Sequence, residues 1–281
     1  MAFRKAIGGK IAAGGKPGKY GSNIATGGKI RRWAGTIPTA YWKVNGIAAS
    51  STTLPDISIA GNGLDGTLGG TVVTSGADST WNSTTPPGSS QSLRFNGVDN
   101  KVVVPYNAKL KPSNTKLSVA MWMYSDQTNK VLLCAEVDAS SGDSGWVFCG
   151  VGFNAAGGGG KADVFWNTVS LTGRIWRSST TAVNDNAWHH VVWIYDGSAT
   201  NEIRTYVDGN LELETGAQSG ALTLNDVPLL IGYRRVGGEK YYRYYLDEIA
   251  YWTDIALTDS QVKSLYNEGK ALNSSAGVQR G

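Results

Sequence analysis

Cysteine and histidine are nearly missing from this 281-residue chain, with two of each. Cys134 and Cys149 are too few for a disulfide scaffold, and no second pair of ligands stands near them to complete a zinc site. His189 and His190 are neighbours, so on a strand they point to opposite faces and cannot readily share a metal ion. No apolar run approaches the ~18 residues of a membrane-crossing helix. The first ten residues carry positive charge without the apolar stretch of a secretory signal, so the chain is expected to stay in the cytoplasm where it is made. Neither a Gly-x-Ser-x-Gly elbow nor a Walker A loop occurs. Gly61 to Gly66 matches G-x-G-x-x-G, but no helix opens after it and no βαβ unit surrounds it.

Glycine and aromatics are plentiful by contrast: 37 Gly, 13 Tyr and 10 Trp against 17% charged residues. That balance describes a turn-dense all-β protein with enough aromatic surface for a large core. Strand-like runs recur at 92–96, 101–104, 117–124, 130–137, 146–153, 161–166, 174–178, 188–195, 202–208, 227–233 and 241–252, which predicts a two-sheet antiparallel jelly-roll sandwich. In 117–124 both alternating faces are apolar, so both should be covered. Asp208-Gly209-Asn210 is the strongest hairpin signal. One short helix is expected near the C-terminus, with Thr258 as cap, Gln261 completing a capping box, Val262, Leu265 and Tyr266 as its apolar stripe and Gly269 as its stop. Cys134 and Cys149 are equidistant from a turn at Ser141-Gly142. A simple hairpin would set them opposite one another, able to pair if oxidised, although two buried thiols are the expected state in a reducing compartment.

Charge is divided sharply along the chain. Residues 1–55 hold nine bases and no acid, while the rest is mildly acidic. Residues 1–40 read as an extended basic Gly/Lys-rich arm, flexible alone because it has too few apolar residues to offset its ordering entropy. Arg4, Lys5, Lys10, Lys16, Lys19, Lys29, Arg31, Arg32 and Trp33 are its candidate anchoring residues toward an acidic surface. Nucleic acid is a weak candidate for that surface, since no nucleic-acid-binding fold accompanies the arm.

Four pieces occur in order: Leu93-Arg94-Phe95-Asn96-Gly97-Val98-Asp99-Asn100-Lys101-Val102-Val103-Val104-Pro105, Leu117 to Met123, Trp188-His189-His190-Val191-Val192-Trp193-Ile194-Tyr195-Asp196-Gly197, and Leu246 to Trp252. Together they resemble a laminin-G-like, concanavalin A-like jelly roll, and Asp56 to Leu68 resembles the opening of the same module. The resemblance covers roughly residues 41–270 and leaves 271–281 as a tail. Trp122, Trp188, Trp193 and Trp252 in these pieces read as mainly core or strand-packing residues, and the resemblance makes His189 and His190 packing and hydrogen-bonding residues, not catalytic ones. It also makes Asp56, Asn62, Asp65 and Asp247 candidate ligands of a structural calcium ion, hard oxygen donors of the kind calcium takes, with ordinary Asx turns as the alternative. Glucanases of this superfamily carry Glu-x-Asp-x-x-Glu on one strand. Glu136-Val137-Asp138 begins that way, but Ser141 stands in place of the last Glu, so no catalytic residue is assigned and no cofactor is required.

For recognition, the segment 233–245 stands out. Tyr233, Arg235, Tyr241, Arg243 and Tyr245, with Trp176 nearby, form a candidate glycan or partner surface. The expected function is that of a non-enzymatic virion surface protein of a tailed bacteriophage, most simply a capsid decoration protein. Its arm would bind other capsid or tail proteins, and its lectin-like body would adhere to host polysaccharide. A carbohydrate-binding adhesin or tail-fibre protein is the alternative, and a glycoside hydrolase a third.

Overall fold

A computed structural model describes residues 23–26, 29–32, 36–44, 47, 51–58, 60–69, 73–74, 85–86, 89, 91–112, 116–135, 147–152, 159–167, 174–197, 201–216, 226–234 and 240–274. In chain order the strands are β1 (Asn23–Thr26), β2 (Lys29–Arg32), β3 (Ala40–Trp42), β4 (Thr53–Leu54), β5 (Gly66–Gly69), β6 (Val73–Thr74), β7 (Leu93–Asn96), β8 (Lys101–Val104), β9 (Lys116–Tyr124) and β10 (Lys130–Ala135). They continue as β11 (Val147–Val151), β12 (Lys161–Asn167), β13 (Arg174–Ala182), β14 (Trp188–Asp196), β15 (Asn201–Val207), β16 (Asn210–Gly216), β17 (Leu229–Ile231), β18 (Tyr233–Arg234), β19 (Lys240–Tyr241) and β20 (Arg243–Thr253), followed by helix α1 (Asp259–Ser274).

Two eight-stranded antiparallel sheets face each other. The first runs β13-β12-β11-β10-β17-β8-β5-β4, and the second runs β16-β15-β14-β9-β20-β7-β6, with β3 also paired to β20. The alternation that marked β9 places Leu117, Val119, Met121 and Met123 against the first sheet, where they meet the core with Leu133, Val164, Trp166 and Trp193. The opposite parity, Ala120 on β9 with Val192 and Ile194 on β14, is covered by Val262 and Leu265 of α1. Each such aliphatic side chain contributes roughly 1.5–3 kcal/mol by leaving water. The jelly-roll sandwich, with both faces of β9 buried, is therefore as expected.

The helix begins with the expected capping box. The Thr258 backbone N–H donates to Gln261 Oε1 at 2.8 Å, and the Gln261 N–H donates to Thr258 Oγ1 at 3.4 Å. Arg204 fastens this end to the sheet through Asp259 Oδ1 (3.1 Å) and the Leu257 carbonyl (2.9 Å). The helix does not stop at Gly269 but runs on to Ser274, because an interior glycine costs only about 1 kcal/mol and does not break the hydrogen-bond ladder. Asp208 and Gly209 both have positive φ, 52° and 79°, the turn that a two-residue hairpin between β15 and β16 requires.

The cysteine geometry differs from the symmetric hairpin. Leu133 lies opposite Cys149 and Cys134 opposite Phe148, and this offset of one residue sends the thiols to opposite faces of the sheet. Cys149 joins the core between the sheets, and Cys134 packs outside with Val131, Phe165 and Leu230. Both are buried and neither forms a disulfide; Cys134 Sγ donates to the Tyr233 carbonyl at 3.3 Å, and burial pushes the Cys149 thiol well up.

Within residues 1–40, β1 and β2 pair antiparallel in a two-stranded sheet of their own. Lys29, Arg31 and Arg32 lie on β2, whereas Arg4, Lys5, Lys10, Lys16, Lys19 and Trp33 fall outside the described residues. Thr36 is attached to the body: its carbonyl accepts from Trp252 Nε1 (3.5 Å) and its Oγ1 accepts from Gln261 Nε2 (3.2 Å). Lys43, counted with the basic N-terminal region, belongs to the body interior.

Candidate functional site

The candidate residues separate into several places. Asp56 is bridged to Trp42 along the edge of β3 that faces away from β20. Its Oδ1 accepts from the backbone N–H groups of Tyr41 (3.0 Å) and Ser58 (2.9 Å), and its Oδ2 from Leu64 N–H (3.3 Å). Asp65 Oδ1 accepts from Asp56 N–H at 2.8 Å, and Asn62 Nδ2 donates to the Thr39 carbonyl at 2.7 Å. These three residues are thus brought together as a loop-closing network of carboxylate-to-amide bonds. Among the described residues, no three His, Cys, Asp or Glu side chains group as a metal ion would require.

Asp247 is elsewhere. Strand β20 pairs with β7 up to Leu246 and with β3 from Ile249, and the bulge at the change of neighbour holds Asp247 and Glu248, the latter at φ 50°. Lys43 Nζ donates to Glu248 Oε1 at 2.6 Å with both side chains sealed (5% and 1% exposed). Asp247 Oδ1 accepts from Val44 N–H at 3.3 Å. Burial first, and the neighbouring Glu248 second, push the Asp247 carboxyl up to about 7 against the pull of Lys43. A paired carboxylate with a raised pKa is the raw material of glycoside hydrolysis, but Asp247 has no exposed surface and Glu248 has only 3%. No sugar reaches them.

His189 bridges Asp208 Oδ2 (2.9 Å) and Asp185 Oδ1 (3.0 Å). Burial disfavours its charged form, yet the hydrogen bonds and charges of the two aspartates outweigh burial and leave its pKa raised. Asp208 is lowered: its burial is outweighed by His189 and by the His190 amide. His190 turns to the opposite face, within 5.3 Å of the Trp122 ring and 6.1 Å of Tyr266.

The candidate recognition residues do not form one surface. Tyr233 and Tyr241 face each other across β18 and β19 with centroids 4.6 Å apart, and Lys101 Nζ stands 4.8 Å above the Tyr233 ring. Trp176 meets Phe165 edge-on at 5.4 Å on the edge strand of the first sheet, three strands from β10. Arg235 lies outside the described residues. Tyr245 and Arg243 belong to the outer face of the second sheet.

That face carries an unbroken cross-strand row. Trp188 on β14 is opposite Tyr124 on β9, Tyr124 is opposite Tyr245 on β20, and Tyr245 is opposite Arg94 on β7. The Tyr124 ring lies 5.8 Å from each of its aromatic neighbours, edge-on to both. Tyr245 is the buried floor, and Trp188 and Tyr124 are half-buried. One step toward the strand ends, Arg243 Nη2 meets Asp126 Oδ1 and Oδ2 at 3.2 and 3.3 Å, and the Arg243 amide donates to Gln127 Oε1 at 2.8 Å. The Asn186 amide donates to the Ser125 carbonyl at 3.1 Å and joins the two flanking loops. Sequence reasoning assigned Trp188 to packing and missed Tyr124 and Arg94. The shared outward parity of 94, 124, 188 and 245 was the available signal.

A family described as the concanavalin A-like lectin/glucanases superfamily matches residues 96–263. The chain belongs to this family. No curated protein matches the sequence. Domain 4 of AbnA, an extracellular arabinanase of Geobacillus stearothermophilus solved with arabinotriose, is similar at 17% identity and TM-score 0.55, over 82% of this chain and 98% of that one. The binding domain of Paraclostridial Mosquitocidal Protein 1 is similar at 11% identity and TM-score 0.57, over 84% of this chain and 53% of that one. The botulinum neurotoxin serotype D ligand-binding domain, solved with N-acetylneuraminic acid, is similar at 12% identity and TM-score 0.55, over 82% and 50%. The protein thus spans about half the length of these toxin domains, and at such identities the likeness is one of fold.

Proposed function

We propose that the protein is a non-catalytic adhesion module, in which the lectin-type jelly roll faces outward and residues 1–35 fasten it to a larger particle. The observation that carries this reading is the division of charge at the point where the body begins. Eight bases and no acid precede Thr36, and 18 bases against 22 acids follow it. A segment of one sign, too poor in apolar residues to form its own core, is suited to lie along an acidic partner surface. Tailed-phage virions are the setting we favour, with the role of capsid decoration.

Two of the fold neighbours were solved with carbohydrate, which supports glycan adhesion by the body. The sealing of Asp247 and Glu248 speaks against using that carboxylate pair for hydrolysis. Deleting residues 1–35 tests the anchor. The truncated protein is expected to keep its circular dichroism and its glycan binding on an array while losing incorporation into particles. Normal incorporation of the truncated protein would refute the anchoring role.

A further inference from the structure

We propose that the outer-face row Trp188–Tyr124–Tyr245, with the Arg243–Asp126 pair beside it, is the glycan-contacting site, and that its ligand is a neutral hexopyranose. The proposal rests on the adhesive reading above and deepens it. A pyranose has an apolar side formed by its axial C–H groups and a rim of hydroxyls that both donate and accept. Its receptor therefore needs an aromatic face next to paired donors and acceptors.

Both are present in the right order. The three rings lie on adjacent strands, with centroids 5.8 Å apart at the Tyr124 contacts and 6.3 Å from Trp188 to Tyr245, so Tyr245 backs the two half-exposed rings. Arg243 comes two residues before Tyr245 on β20, hence on the same face, and Asp126, in the bend just past the end of β9, is brought there by its contact with Arg243. Their side chains are 48% and 33% exposed and hold each other in a forked contact. The guanidinium presents donors and the carboxylate acceptors within one pair.

Charge selects the class. Arg243 is already held by Asp126, so the pair offers donors and acceptors without net charge. A carboxylate-bearing sugar would meet the Asp126 carboxylate and would have to break this pair to reach the guanidinium. Neutral hydroxyls meet no such penalty. The surface is a shallow platform, so single-site affinity should be weak and gain from many copies on one particle.

The test uses the full chain with neutral gluco-, manno- and galacto-oligosaccharides, with sialyllactose and oligogalacturonate as acidic counterparts, read by saturation-transfer NMR and tryptophan fluorescence. Trp188→Ala is expected to weaken neutral-sugar binding about tenfold or more. Because Trp188 also packs, Arg243→Met and Asp126→Asn serve as surface variants that leave the fold intact and should each weaken binding severalfold. Trp176→Ala, on the other sheet, should not change it. Neutral-sugar binding that survives all three row and rim variants would overturn the site while leaving the adhesive reading standing. Tighter binding of the acidic sugars would overturn the ligand class. Binding of no glycan by the full chain would overturn the adhesive reading and this proposal together.

Discussion

Asp247 carries a cost that the rest of the molecule has to offset. Lys43 is one positive charge set against two carboxylates in a buried site, and the arrangement balances only when one carboxylate keeps its proton. A carboxyl raised to about 7 is protonated in the native state where the unfolded chain has already released the proton. Its favourable contribution is therefore complete below the ordinary carboxylate range, near pH 4, and is lost as pH rises through about 7. Each unit of such displacement corresponds to about 1.4 kcal/mol. Asp247→Asn keeps an Oδ1 acceptor for Val44 N–H and cannot ionise. It should raise the urea midpoint at pH 8 by far more than at pH 4. An equal change at both pH values would rule out a titrating Asp247.

Between β17 and β18 a single glycine lets the chain turn without leaving its neighbours. Gly232 has φ 73°, donates its N–H to the Leu132 carbonyl and accepts from Tyr242 N–H, both at 2.8 Å. A Cβ there would stand 2.3 Å from the Phe95 ring, which is itself buried against Tyr242. Gly232→Ala combines a strained φ with core overlap, so a loss of about 2–4 kcal/mol in urea unfolding is expected. A change under about 0.5 kcal/mol would mean that the ring yields freely. The sequence announces elements of this kind unevenly. Alternation located β9 and β14, and Asp208-Gly209 located the β15–β16 hairpin, because both signals are local. The slipped register of Cys134 and Cys149, the bulge at Glu248 and the continuation of α1 past Gly269 depend on which strand or surface lies alongside. The aromatic row was hidden for the same reason: Trp188, Tyr124 and Tyr245 are far apart in the chain and meet only when three strands are in register.

At the scale of the whole sandwich, one carboxylate helps fasten the two sheets along one side. Glu212 on β16 accepts from the backbone N–H groups of Thr180 (3.2 Å) and Thr181 (3.1 Å) on β13, from Thr181 Oγ1 at 2.9 Å and from the Thr180 hydroxyl. These bonds are exposed, so Glu212→Ala should cost only about 1 kcal/mol. Its larger effect should be faster amide exchange in β13 and β16 and slow self-association of the freed edges, measurable by hydrogen exchange and light scattering. Unchanged exchange would show that the side stays shut without it. Another closure joins parts far apart in the chain. The Thr39 amide donates to the Tyr251 carbonyl at 2.8 Å, and among the described residues β3 pairs as a strand with β20. During synthesis, therefore, β3 must wait without this partner until β20 has been made, so the native sandwich cannot be completed progressively from the N-terminus.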